Sequence, residues 1–128
     1  MLALAVLAFG RAVAYMQPGS PAFTPAVLLE IQHIIPTLTY GVLWFGTGVI
    51  VTAGAYRKQQ IPALAVMAGM STLWAIVYVW AAVTRTLDAG ALASIGSWIT
   101  ATVYAAIVII IGAMAAMINK VERVDVDE

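Results

Sequence analysis

Three long stretches without a single charged side chain constrain this chain more than anything else in it. They run from about Leu38 to Tyr56, from about Ile61 to Thr84 and from about Ser97 to Asn119. Each approaches the roughly 20 apolar residues that a helix needs to cross a hydrocarbon core of about 30 Å. No water reaches backbone N–H and C=O groups there, so such a segment is expected to be an α-helix. Of the residues, 63% are hydrophobic and 9% charged, whereas an ordinary soluble domain is about 25% charged. A soluble fold of 128 residues exposes too much surface to hide that apolar content. The expected fold class is therefore all-α: an integral membrane helical bundle, one domain over residues 1–128.

The breaks are legible too. Arg57, Lys58, Gln59 and Gln60 form a short polar turn, and Pro62 suits the first turn of the next helix, where a missing N–H matters little. So short a turn predicts antiparallel neighbours. Arg85 to Gly96 mixes charge, glycine and serine and reads as an external loop. Trp80 and Trp98 fall near span ends, where amphipathic rings anchor at the interface. Trp44 and Trp74 are expected to pack within the membrane.

The segment from Leu2 to Met16 is apolar but short, and Arg11 interrupts it. The favoured reading is a fourth spanning helix, tilted or thinning the bilayer locally. Without it the bundle has three spans. A signal peptide with Ala12-Val13-Ala14 as its cleavage pattern and an interfacial helix are the alternatives. Pro18, Gly19, Pro21 and Pro25 then exclude a crossing helix. Thr24 and Pro25 can start a short interfacial helix over about 25–35, which Pro36 ends. Positive charge sets orientation: Arg57, Lys58, Lys120 and Arg123 share one side, and Arg85 stands alone on the other. The cation-rich side is expected to be the cytoplasm of a plasma (inner) membrane, holding the carboxyl-terminal tail 120–128.

Groups that carry chemistry are few. The formal net charge is zero, so no basic field exists to draw nucleic acid. There is no cysteine, hence no thiolate chemistry or disulfide. His33 and Glu30 share a helix face, but one histidine and one carboxylate fall short of the three or four ligands of a metal site. They read as the wet side of the interfacial helix. Arg11 is expected to snorkel to the nearer interface. The tail, ending in Asp125, Asp127 and Glu128, reads as a frayed, solvated stop. The strong spans lack the ionisable groups that proton relays and ion pathways use, which disfavours a transporter or channel. No nucleophile–base pair can be assembled, so catalytic, cofactor and metal residues are expected to be none, and an enzyme is the least favoured class. Hydroxyls such as Thr47, Ser71 and Tyr104 serve as glue between or within helices.

What the spans do offer is small residues at close-packing intervals. Ala65 and Gly69 are four apart, as are Gly112 and Ala116, and Gly46, Gly48 and Gly54 punctuate the first strong span. Such pairs let helix backbones approach in lipid, where dispersion contact replaces the hydrophobic effect. Packing within one chain is the favoured use of these faces, and packing between copies the other.

The stretch SPAFTPAVLLEIQHIIPTLTYGVLWFGTGVIVTAG joins a Ser-Pro break, a short helix, a proline and a glycine-rich span. With the helix layout, it resembles small multi-pass membrane proteins of actinobacteria and their phages. That resemblance implies a holin or similar membrane effector assembling laterally, although the acidic tail departs from the basic tails common among holins. The leading expectation is a non-enzymatic membrane protein that associates with itself or a membrane-protein partner in the bilayer. The alternative is a structural or accessory subunit of a larger membrane complex. The cysteine-free chain makes topology testable. Single cysteines at Gln59 and Asp127 should be shielded from an impermeant thiol reagent in intact cells, while those at Ser20 and Ala91 react. Labelling of Gln59 from outside would reverse the orientation.

Overall fold

A computed structural model describes residues 1–16, 36–57 and 60–126, with the backbone alone at Ala91 and over 121–126. Among the described residues every regular element is an α-helix: α1 (Leu2–Met16), α2 (Thr37–Tyr56), α3 (Gln60–Ala89) and α4 (Ala91–Val126). The helices α2, α3 and α4 are long and apolar enough to cross a membrane. At 15 residues, α1 rises about 22 Å, short of a hydrocarbon core of about 30 Å. The interfacial helix expected over 25–35 lies outside the described residues. Two compact units divide the chain, Met1–Val66 and Met67–Glu128.

In the first unit α1 packs along α2. Ala5, Ala8, Ala12 and Tyr15 are buried on α1, and Tyr40, Gly41, Trp44, Thr47, Gly48, Val51 and Gly54 on α2. The α1 stripe alternates between three and four residues, and on α2 Gly41, Trp44, Gly48 and Val51 do the same, as in a heptad seam. The contacts run antiparallel. Phe9 meets Phe45 edge-on with ring centroids 5.5 Å apart, and Tyr15 meets Tyr40 at 6.3 Å. Gly41 and Gly48 set how close the backbones come. A Cβ on Gly41 would sit 2.8 Å from Met16 Cγ and 3.4 Å from the Ala12 carbonyl oxygen, and one on Gly48 only 2.9 Å from the Phe9 ring.

The ends of α2 have local causes. Pro36 precedes it at φ −59° and ψ 141°, and its carbonyl accepts from the Thr39 N–H at 2.9 Å. At the far end the Arg57 N–H donates to the Ala53 carbonyl at 3.0 Å. Pro62 falls in the first turn of α3, where no intrahelical acceptor is lost.

The second unit corrects one expectation. Arg85 to Gly96 is not a loop: α3 runs through Ala89, α4 begins at Ala91, and Gly90 alone separates them. Gly90 adopts φ +86°, a left-handed conformation that glycine enters without steric penalty. Its N–H caps α3 by donating to the Thr86 carbonyl at 3.2 Å. Two threonine hydroxyls near the end of α3 bond to their own helix. Thr84 donates to the Trp80 carbonyl at 3.1 Å and Thr86 to that of Ala82 at 2.6 Å. The backbone of α4 also stays helical to Val126, past Asn119, so the tail's first residues prolong the helix instead of fraying.

Across Gly90 the helices pair as a hairpin. Tyr78 and Tyr104 stack at 6.0 Å with their planes 21° apart, and Trp74 lies 6.0 Å from Tyr78. Ala81 and Ala101 are buried on the two helices, as are Ser71 and Ile111. In the first unit, Gly48→Leu should separate α1 from α2 and cost about 1–3 kcal/mol by overpacking, whereas Gly46→Leu, at a position where a Cβ would meet nothing within 4 Å, should cost much less. Reversible unfolding in mixed micelles would measure both.

Candidate functional site

Two kinds of feature stand out once the helices are placed: polar and aromatic groups inside the α3–α4 hairpin, and small-residue faces outside it. Inside, Trp74 and Tyr104 are fully buried and Tyr78 nearly so. Thr86 Oγ1 lies 2.7 Å from Ser94 Oγ and accepts from Trp98 Nε1 at 3.4 Å. This small network ties the two helices together beside the turn. The side chains come from successive turns of two helices whose register Gly90 fixes. Ser71 differs: its hydroxyl is buried with no hydrogen-bond partner.

Four further threonines point back at their own helices. Thr47 bonds the Leu43 carbonyl at 2.9 Å, Thr52 that of Gly48 at 2.7 Å, Thr100 that of Gly96 at 2.9 Å and Thr102 that of Trp98 at 2.9 Å. A hydroxyl used this way is satisfied without water. Among the described residues no group of three or more His, Asp or Glu side chains comes together as a metal site. Glu30, His33 and the acidic end of the tail lie outside the described side chains. Arg11 sits half-buried on α1.

The four residues proposed for helix packing occupy a surface. Ala65, Gly69, Gly112 and Ala116 are all exposed, and a Cβ on Gly69 or Gly112 would meet nothing within 4 Å. The chain's own close approaches use other positions, above all Gly41 and Gly48. Gly41 has no glycine or alanine four residues away, so glycine–alanine spacing does not single it out. Its signal is a heptad phase: Gly41 and Gly48 are seven apart, and so are Trp44 and Val51. Trp44 and Trp74 are fully buried, and Trp80 and Trp98 are exposed. The most apolar window of α4 is only 17% buried, which leaves that helix mostly open to its surroundings.

No protein-family model, curated protein or solved structure matches the chain. The arrangement itself carries the functional argument: apolar helices, threonine hydroxyls bonded to their own helices and small-residue faces directed outward. Thr86→Val should remove the contacts to Ser94 and Trp98 and destabilise the hairpin by about 0.6–1.7 kcal/mol. Thr100→Val, which loses only a bond within its own helix, should cost less. A reversible unfolding titration of both variants would check the difference.

Proposed function

We propose that this is a non-enzymatic integral membrane protein that works through lateral helix association, with further copies of itself as the partner. The observation that supports this most is the exposure of Ala65, Gly69, Gly112 and Ala116. Small residues on a lipid-facing surface leave shallow grooves that another helix fills better than acyl chains do. The low burial of α4 leaves room for such a neighbour. One histidine, no cysteine and few carboxylates supply little for catalysis.

The finer reading is a holin-type effector in the plasma membrane, carboxyl terminus in the cytoplasm, whose copies accumulate until their assembly opens the bilayer. The Ser-Pro break, short proline-bounded segment and glycine-rich span support an actinobacterial or phage source. An accessory subunit of a larger membrane complex is the second reading, favoured by the same exposed faces if the occupant is a different protein.

Inducible expression in a bacterial host, with membrane potential followed and complexes weighed in mild detergent, separates the two. Self-association predicts abrupt depolarisation and homo-oligomers, both lost in Gly69→Leu and Gly112→Leu. Since no side chain crowds either glycine, these variants should still fold as monomers. A heavily expressing cell that keeps its potential sinks the effector reading. A stoichiometric foreign partner would make the chain a subunit.

A further inference from the structure

The α3–α4 hairpin is longer than a hydrocarbon core, and what it carries at its tip points to where the excess goes. Thirty residues of α3 rise about 45 Å. Holding them all within about 30 Å of hydrocarbon demands a tilt of about 48°, beyond the observed range of about 0–40°. At the average tilt of about 20° the helix climbs about 42 Å, the thickness of a bilayer with both headgroup layers. Trp80 and Trp98, 68% and 43% exposed, flank the hairpin below its tip and face outward.

Beyond those rings the tip is not built like a loop in water. Leu87 is 80% and Leu92 87% exposed, and Val83 and Ile95 are exposed as well. Its hydroxyls are already satisfied: Thr84 and Thr86 by helix carbonyls, and Ser94 by Thr86. Ser94 and Ser97 are buried. Against this apolar exterior stand one cation and one anion, Arg85 and Asp88, three residues apart on one flank of α3. A phospholipid headgroup with a phosphate and an amine offers the complementary pair, and the acyl–headgroup boundary below it takes leucine side chains.

We propose that the tip, Val83 to Ile95, is a membrane-surface element seated in the headgroup layer of one leaflet. Arg85 and Asp88 engage zwitterionic phospholipid there, and Leu87 and Leu92 reach into the acyl boundary. This rests on the reading of the chain as an integral membrane protein, so the test carries its own control for that reading.

The full chain has no cysteine, and Leu87, Leu92 and mid-helix Ile109 are exposed, so single nitroxide labels at Leu87→Cys, Leu92→Cys and Ile109→Cys leave the packing intact. In phosphatidylcholine vesicles, collision with oxygen and with a water-soluble nickel chelate reports depth. Labels at 87 and 92 should show nickel accessibility several-fold below that of the unfolded chain in water and several-fold above that at 109. Water-level nickel accessibility at both tip sites would overturn the proposal, because the tip would then stand free of the bilayer. Immobilised spectra with low access to both reagents would overturn it in favour of a protein, a second copy included, covering the tip. Nickel access at 109 equal to that at the tip would remove the membrane reading itself.

Discussion

In the hydrocarbon of a bilayer each backbone N–H and C=O has to find its partner inside the protein, and the described elements follow from that requirement. It makes the apolar stretches helices and confines irregular backbone to their ends. It also explains how the threonines are used. Thr47, Thr52, Thr84, Thr86, Thr100 and Thr102 each bond a carbonyl of the preceding turn, so a polar side chain enters an apolar helix with its hydroxyl already satisfied. At the hairpin tip the same economy reduces the turn to one glycine, since each further non-helical residue would expose two more backbone groups.

Once the helices exist, burial of apolar surface no longer discriminates among their arrangements, because lipid solvates leucine as well as protein does. Shape takes over, and the two units use it differently. Between α1 and α2 the backbones close on Gly41 and Gly48, and Phe9 and Met16 fill the space that a Cβ would occupy. Between α3 and α4 the seam is aromatic, with Trp74, Tyr78 and Tyr104 in a ladder and the Thr86–Ser94–Trp98 contacts beside the turn. Dispersion forces act in both, through small residues that admit a backbone in one and large flat rings that cover area in the other.

The same preference for shape gives meaning to small residues that remain uncovered. Ala65, Gly69, Gly112 and Ala116 have the spacing of a packing face, yet each is exposed. The intervals are the same whether the partner helix belongs to the chain or to a neighbour, so spacing alone does not choose between them. Their place on the surface supports the reading in which this protein works by meeting other helices.

The sequence by itself determined the helical class and that three helices are long and apolar enough to cross a membrane, because charge-free runs of that length have one stable backbone solution in lipid. The tertiary structure decided what depends on a partner's surface. Gly41 became a contact because Met16 and Ala12 lie across from it, whereas Gly69, which has Ala65 at the close-packing interval, faced open space. Arg85 to Gly96 became two helix ends and not a loop, because Thr86 found Ser94 and Trp98 across the turn that Gly90 makes. Helix formation is a property of a segment and its solvent, readable one residue at a time. Helix pairing is a property of two surfaces, and the second one appears only when the chain has folded.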